Sequence, residues 1–280
     1  MAEQASNYAP IGVFDSGYGG LTILKGLRDA LPECDYLYLG DNARAPYGTR
    51  SFDLVYEYTF QAVHHLFKRN CPLVILACNT ASAKALRTIQ QQDLPHFPWP
   101  DRRVLGVIRP TVEVLPGISR TGHIGVLATP GTIASHSYRI EIGNLSPELT
   151  VVEKAAPMWV PLVENRESDK PGADYFVKKY IDELFDADPD IDTVILGCTH
   201  YPLLADKIRL YLPKGVTLLS QGELVGRSLA DYMHRHPDMY QRISKGGTID
   251  FLTTENADKF NELASTFTGY PIQAENIELW

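Results

Sequence analysis

Short continuous apolar runs alternate with amphipathic segments along most of the chain, and this alternation restricts the fold more than any other feature. Because apolar and polar residues do not alternate within the runs, they are typical of parallel strands that are covered on both faces. The predicted strands are Ile11–Phe14, Tyr36–Leu39, Leu73–Ala77, Val104–Ile108, Ile124–Ala128, Thr150–Glu153, Thr193–Leu196, Thr217–Leu219 and Ile249–Thr253. Strands that alternate with helices predict an α/β fold of mostly parallel sheets flanked by helices.

Helical periodicity is clearest after Ser51. Apolar side chains recur there at three- to four-residue spacing and make one helical stripe, which contains Phe52, Tyr56, Phe60, Val63 and Phe67. Further helices are predicted over residues 81–92, 173–185, 223–236 and 256–268. These helices supply the long connections that parallel strands require.

Two proline-containing segments predict where the chain passes between lobes. They are LPHFPWPD at residues 94–101 and LPKG at residues 212–215, and proline prevents a helix from continuing. We expect two similar lobes with a cleft between them. The first comprises residues 1–103 and 215–280 and the second residues 104–214, because two C-terminal strands and two helices alone would bury little core.

Composition excludes several classes of protein. Hydrophobic residues make up 44% of the 280 residues and charged residues 21%, as in ordinary globular proteins. A formal net charge of -8 argues against a broad nucleic-acid surface. No apolar run approaches the roughly 18 residues that span a bilayer, and MAEQASNYAP has neither the basic start nor the apolar core of a secretory signal. We therefore expect a cytoplasmic protein with no nucleic-acid or membrane partner.

The same pattern of strand, small residue, cysteine and two polar residues occurs twice. The first thiol junction is LVILACNT at residues 73–80, and the second is TVILGCTH at residues 193–200. Ligands bind at the carboxyl ends of strands in open α/β sheets. Cys78 and Cys198, one in each predicted lobe, would therefore face one small molecule from opposite sides. Two such thiols suit removal of a proton from one face of a carbon and its delivery to the other.

Polar residues follow two other predicted strands. FDSGYGGLT places Asp15 and Ser16 at a glycine-rich turn, whose spacing matches neither a phosphate loop nor a dinucleotide fingerprint. Asp15 could accept hydrogen bonds from an ammonium group or hold a proton near a sulfur, or it could cap a turn. The turn PYG brings Tyr47 and Gly48 to the same sheet edge, with a phenol that could be exposed and free backbone N–H groups.

His200 follows Cys198 by two residues, and in an extended chain both side chains would point the same way. An imidazolium there would favour the thiolate, although a structural histidine at a helix N-terminus remains an alternative. Zinc is the other alternative, since Asp15, Cys78, Cys198 and His200 are suitable ligand types. No pair has the cysteine spacing of structural zinc sites, so no metal is expected. Cys34 and Cys71 lack the junction context and are interpreted as structural.

The motifs FDSGYGGLT, GDNARAPYGTRS, ACNTASA and GCTHYPLL, in this order, resemble those of the cofactor-independent glutamate racemases. TPGTIAS and WVPLVEN resemble the family more weakly, so the similarity covers nearly the full length. Aspartate racemases of the same superfamily usually lack His-Tyr-Pro after the second Cys-Thr. The resemblance therefore favours glutamate as the substrate.

The resemblance implies a two-lobed enzyme without cofactor that interconverts L- and D-glutamate, supplies D-glutamate for peptidoglycan and so for cell wall and cell shape, and forms a homodimer. It assigns acid/base roles to the thiols of Cys78 and Cys198, with Asp15 and His200 assisting. It further implies that the amino acid is held by four pairs of residues, which are Asp15-Ser16, Tyr47-Gly48, Asn79-Thr80 and Thr199-His200. Two alternatives stay open, an aspartate or related amino-acid racemase and a non-catalytic protein that binds a dicarboxylate.

Overall fold

Within residues 8–279, which the computed structural model describes, ten strands form two separate parallel sheets. The strands are β1 (Ile11–Asp15), β2 (Tyr36–Gly40), β3 (Leu73–Leu76), β4 (Arg103–Gly106), β5 (His123–Ala128), β6 (Thr150–Ala155), β7 (Thr193–Gly197), β8 (Thr217–Leu219), β9 (Ile249–Thr253) and β10 (Ala274–Asn276). The first sheet has the order β10-β9-β2-β1-β3-β4 and the second the order β6-β5-β7-β8. Every described strand pair is parallel.

Helices connect the strands and cover both sheets. They are α1 (Leu21–Ala30), α2 (Phe52–Lys68), α3 (Asn79–Lys84), α4 (Leu86–Thr88), α5 (Ile108–Glu113), α6 (Pro130–Ala134), α7 (Ser137–Leu145), α8 (Trp159–Glu164), α9 (Pro171–Ala187), α10 (Ala205–Tyr211), α11 (Gln221–Arg235), α12 (Pro237–Arg242) and α13 (Ala257–Thr268). Short helical turns of 3₁₀ or π type cover Asn42–Arg44, Ile89–Asp93, Leu94–His96, Leu115–Gly117 and Tyr201–Leu204.

Each sheet has apolar side chains packed on both faces, as the continuous apolar runs predict. In the first sheet, β1, β2 and β3 contribute to one core beneath α1, α11 and α13 and to a second core beneath α2. In the second sheet, one core lies beneath α8, α9 and α10 and the other beneath α5 and α7. The polar residues that follow β1, β3 and β7 thus come directly after strands that are buried along their whole length.

Strand register brings the polar strand ends to common edges. Within the first sheet Phe14 is aligned with Leu76, so the residues that follow β1 and β3 leave the sheet side by side. Within the second sheet Ala128 is aligned with Gly197, so Thr129 and Cys198 are neighbours at its carboxyl edge. The two thiol junctions thus leave the carboxyl edges of different sheets.

The predicted fold class is confirmed, and all nine predicted strands occur with shifts of a few residues at their ends. The short strand β10 was not predicted, because a three-residue strand of mixed polarity carries no periodic signal. The helix predicted over residues 81–92 is divided into α3, α4 and the wider turn Ile89–Asp93.

Two strands lie in the opposite sheet from the one that the predicted lobe boundaries imply. Strand β4 pairs with β3 in the first sheet, and β8 pairs with β7 in the second. Proline-containing segments mark interruptions of helices, but they carry no information on strand pairing. Strand pairing determines the sheet to which β4 and β8 belong. From the pairing we propose a first lobe of residues 8–106 and 220–279 and a second lobe of residues 107–219.

No helix among the described residues is both long and apolar enough to cross a bilayer. The expectation that the N-terminus carries no secretory signal concerns residues 1–10, of which residues 1–7 lie outside the described part of the chain.

Candidate active site

A cavity of about 110 Å³ lies between the carboxyl edges of the two sheets. Nine of the ten predicted site residues line it, and they are Ser16, Tyr47, Gly48, Cys78, Asn79, Thr80, Cys198, Thr199 and His200. Both junction cysteines thus border the same enclosed space, as the repeated sequence pattern predicts. The tenth residue, Asp15, is not among the lining residues.

Cys78 is the residue immediately before α3 and is only 5% exposed. Its Sγ accepts a hydrogen bond from the backbone N–H of Ala81 at 3.5 Å and donates one to Oγ of Ser16 at 3.5 Å. Burial raises the pKa of the Cys78 thiol to about 12, and the negative charge of Asp15 adds to this effect. Cys78 is therefore protonated near neutral pH.

Cys198 follows β7, is also 5% exposed, and has His200 as its neighbour. The Sγ of Cys198 lies 3.9 Å from Nδ1 of His200, and Nε2 of His200 lies 3.1 Å from Oε1 of Glu164. Burial lowers the pKa of His200, but the hydrogen bonds to Cys198 and Glu164 outweigh it and raise this pKa to about 10. An imidazolium accordingly lies beside the Cys198 sulfur.

The backbone of His200 is helical rather than extended, with φ -81° and ψ -28°. The expected proximity of the His200 and Cys198 side chains is present nonetheless. It arises from the turn after β7 rather than from strand geometry.

Asp15 ends β1 and is completely buried. Its Oδ2 accepts a hydrogen bond from the backbone N–H of Gly17 at 2.9 Å, and its Oδ1 accepts one from Oγ1 of Thr199 at 3.4 Å. Burial raises the pKa of Asp15, which the charge of His200 and these hydrogen bonds oppose. Asp15 thus connects the end of β1 to the second thiol junction from behind the cavity wall.

The N-terminal end of α1 approaches the second thiol junction closely. A Cβ atom at Gly19 would lie 2.3 Å from Oγ1 of Thr199 and 2.5 Å from Nδ1 of His200, so only glycine fits. Oγ1 of Thr22 donates a hydrogen bond to the Gly19 carbonyl at 2.8 Å and also lies 3.2 Å from the carbonyl oxygen of Thr199. The glycine-rich turn therefore serves to bring the two lobes together, which explains its failure to match a nucleotide-binding pattern.

The loop that contains Tyr47 and Gly48 closes one side of the cavity. The Tyr47 phenol, which the sequence suggested could be exposed, is buried, and its hydroxyl donates a hydrogen bond to the buried Asp41. The Gly48 carbonyl accepts a hydrogen bond from the Gly131 N–H at 2.8 Å, which links the loop to α6 of the second lobe. Nζ of the buried Lys84 donates to the Arg50 carbonyl at 2.7 Å. The loop is thereby held at Tyr47, Gly48 and Arg50.

Asn79 and Thr80 contact the second lobe directly. The Asn79 Oδ1 accepts a hydrogen bond from the Tyr138 hydroxyl of the second lobe at 2.7 Å, while Nδ2 of Asn79 donates to Oε1 of Gln221, in the first lobe, at 2.7 Å. The Thr80 hydroxyl lies 3.0 Å from that of Thr129, which precedes α6. The first thiol junction is therefore hydrogen-bonded to the opposite lobe by both polar residues that follow its cysteine.

Sequence reasoning missed two of these residues. Glu164 lies in WVPLVEN, which resembles a motif of the family but by itself assigns no role to the acid. This resemblance was the available signal for Glu164. Gln221 begins α11 and gave no signal, because its partners come from three other helices.

The His, Cys, Asp and Glu side chains of residues 8–279 that lie close enough to share a metal ion are His123, Asp188 and Asp190. They lie near the amino end of β5, the end opposite the cavity, and such exposed acidic groups are common without a metal.

Comparison with known proteins agrees with this geometry. Residues 21–224 match the family model for Asp/Glu/Hydantoin racemase. The chain is 40% identical to the glutamate racemase of a Ruegeria species over 267 residues, which cover 92% of this chain and 96% of the relative.

Two solved structures are similar over almost the entire chain. A glutamate racemase isoform from Bacillus anthracis has a TM-score of 0.88 and 34% identity, with 98% of both chains covered. The glutamate racemase from Francisella tularensis in complex with D-glutamate has a TM-score of 0.84 and 30% identity, with 97% of this chain and 98% of that chain covered. This chain therefore belongs to the Asp/Glu/Hydantoin racemase family and is a racemase, an enzyme of the isomerase class.

Proposed function

We propose that the protein is a glutamate racemase that interconverts L- and D-glutamate by deprotonation and reprotonation at Cα between two thiols, without a cofactor. The observation that carries this proposal is that Cys78 and Cys198, from matching junctions of two different sheets, line one cavity. The glutamate racemases at 40% and 34% identity support the choice of substrate.

The surroundings of the two sulfurs differ. The His200 ring lies 3.9 Å from the Cys198 sulfur, whereas burial and the charge of Asp15 raise the pKa of the Cys78 thiol. We therefore propose Cys78 as the first proton donor and Cys198 as the first base. The thiolate of Cys198 removes the α-hydrogen as a proton, the electron pair stays on a planar carbanion, and the Cys78 thiol delivers its own proton to the opposite face.

After one turnover the roles of the two sulfurs are reversed, as interconversion in both directions requires. Because no cofactor accepts the electron pair, hydrogen-bond donors around the α-carboxylate must stabilise the carbanion. Ser16, Asn79, Thr80 and Thr199 place side-chain donors at the cavity, and the loop with Tyr47 and Gly48 forms its far side. These residues support binding of the ammonium group and both carboxylates of glutamate.

We propose that the D-glutamate is supplied in the cytoplasm for peptidoglycan, and hence for cell wall formation. The homodimer that the resemblance implies remains a prediction. Light scattering coupled to size-exclusion chromatography would test it.

Incorporation of solvent deuterium at Cα tests the proposed reaction. Incubation in D₂O with L-glutamate and separately with D-glutamate, followed by proton NMR, is expected to show loss of the Cα signal from both enantiomers. L-Aspartate in parallel measures selectivity, and faster exchange there would identify the protein as an aspartate racemase. Tight glutamate binding without exchange would show that the protein is a dicarboxylate-binding protein and contradict the proposal.

A further inference from the structure

A closed ring of hydrogen bonds lies behind the cavity wall. Gln221 donates from Nε2 to the Tyr138 hydroxyl at 2.9 Å, Tyr138 donates to Oδ1 of Asn79 at 2.7 Å, and Asn79 donates from Nδ2 back to Oε1 of Gln221 at 2.7 Å. All three residues are at least 98% buried. Each member is both a donor and an acceptor, so the ring could in principle run in either direction.

The direction of the ring is set by a group outside it. The Thr111 hydroxyl donates its hydrogen to the carbonyl of Val107, the residue immediately before α5, at 2.8 Å. Oγ1 of Thr111 can then only accept, and it lies 2.8 Å from Nε2 of Gln221. The Val107 carbonyl, which also only accepts, lies 3.2 Å from the same nitrogen. The amide end of Gln221 that faces α5 must be its NH₂ group.

The orientation of the Gln221 amide fixes the orientation of the Asn79 amide at the cavity. Because the NH₂ of Gln221 faces α5, its carbonyl oxygen faces Asn79, which must present its own NH₂. The Oδ1 of Asn79 then accepts from Tyr138 and keeps one lone pair. One hydrogen of the Asn79 Nδ2 also remains, and Asn79 is a cavity-lining residue. With its amide in this orientation, Asn79 can therefore donate an N–H to a ligand.

We infer that Gln221 is a positioning residue, which fixes the amide of Asn79 so that an N–H and not a carbonyl oxygen serves the substrate. This inference rests on the proposed function, and it names the group that Asn79 serves as a carboxylate, since a carboxylate only accepts. Gln221 begins α11 directly after β8, and Val107 directly follows β4. Both residues lie next to the points where the chain passes from one proposed lobe to the other. The orientation of the Gln221 amide is therefore set where the two lobes join.

Gln221→Glu is the decisive substitution, because it preserves the shape of the side chain and replaces the NH₂ donor with a carboxyl oxygen. An ionised carboxylate at this position offers only acceptors to Thr111 and Tyr138, whereas a protonated carboxyl still donates one hydrogen bond. Burial raises the pKa of such a carboxyl. The KM of the variant for glutamate should therefore approach the wild-type value as the pH falls.

The titratable groups around position 221 are present in both proteins. They are Tyr138, whose pKa burial raises, and Cys198, which interacts electrostatically with that phenol. Comparing the variant with the wild-type protein at each pH therefore isolates the effect of the new carboxyl.

The measurement is racemisation of L-glutamate followed by circular dichroism from pH 6 to pH 9. At high pH we expect Gln221→Glu to raise KM about tenfold to a hundredfold over wild type, with a much smaller change in kcat. The difference in KM between Gln221→Glu and the wild-type protein should become smaller as the pH falls. Gln241→Glu, an exposed position on α12, adds the same charge away from the ring and should follow wild type at every pH.

Gln221→Met provides the second variant. It fills similar space but leaves Nδ2 of Asn79 without the Gln221 acceptor and lets the amide turn, so KM should rise by a similar factor at every pH. This variant decides the question if Gln221→Glu does not fold. A Gln221→Glu profile parallel to wild type, or an unchanged KM in Gln221→Met, would overturn the inference while leaving racemisation intact. Absence of racemisation in the wild-type protein would instead refute the proposed function, and the inference with it.

Discussion

Nε2 of His200 lies 3.1 Å from Oε1 of Glu164, while Nδ1 of the same ring faces the sulfur of Cys198. The carboxylate belongs to α8 and the imidazole to the turn after β7, so packing within the second lobe creates the pair. A carboxylate on the far side of the ring stabilises the imidazolium and also fixes its orientation towards the thiol. His200 is thus held in place by a residue that no local sequence pattern connects to it.

Replacing Glu164 with Gln should lower the pKa of His200, because the neutral amide no longer stabilises the imidazolium. We expect the pKa to fall below the value of about 10 that it has in the wild-type protein. A ¹⁵N NMR titration of the imidazole would measure the change. Glu167→Gln, at an exposed position nearby, is the matched control. An unchanged His200 titration in Glu164→Gln would show that the ion pair is absent in solution.

The same pair makes stability depend on pH. The pKa of His200 is about 10 in the folded protein against an ordinary value of 6.5, so the folded state holds its proton more tightly. The resulting stabilisation is fully present below pH 6.5 and is lost as the pH rises through about 10. Urea denaturation across this range should show a smaller decline in Glu164→Gln than in wild type. Equal declines would contradict the assignment.

Substitution of either cavity cysteine should abolish most of the racemisation. Cys78→Ser and Cys198→Ser each remove one acid/base group, and we expect kcat to fall about 10²- to 10⁴-fold while glutamate still binds. Cys71→Ser is the control, since Cys71 is buried away from the cavity. It should cost about 1–3 kcal/mol in unfolding free energy without loss of specific activity. Full activity in either cavity variant would exclude the two-thiol mechanism.

Gly19→Ala should disturb the site by steric contact alone. The added Cβ would lie 2.3 Å from Oγ1 of Thr199 and 2.5 Å from Nδ1 of His200, so the second thiol junction must move. A displacement of this size costs about 10²-fold in kcat/KM. Gly143→Ala, in α7 with no atom within 4 Å of the added methyl, should retain activity and gain roughly 0.5–1 kcal/mol of stability. Equal activity in both variants would mean that the lobes do not meet at Gly19.

Lys84→Met should loosen the loop that closes the cavity. Nζ of Lys84 donates to the Arg50 carbonyl from a buried position, and methionine fills similar space without that hydrogen bond. We expect KM for glutamate to rise about tenfold with a smaller change in kcat. Lys178→Met, at an exposed site on α9, is the control. Steady-state kinetics with an unchanged KM would show that the loop holds without Lys84.

The elements and the two thiol junctions could be read from the sequence because their signals are local. A run such as Leu73–Leu76 is apolar whatever it pairs with, and Cys78 and Cys198 follow such runs directly. The sheet membership of β4 and β8 could not be read, since strand pairing depends on contacts between distant segments. The bonded phenol of Tyr47 was missed for the same reason, because its position depends on how the loop folds onto Asp41.

The sequence by itself determined that the chain is an α/β protein with a cysteine at the polar end of a buried strand in each of two sheets. Only the tertiary structure decided what surrounds each sulfur. The charge of Asp15 acts on Cys78, the His200–Glu164 pair lies beside Cys198, and Gln221 is hydrogen-bonded to Asn79. The physical reason is that charge and hydrogen bonding act over a few ångströms in space, and most of these partners come from segments far apart in the chain.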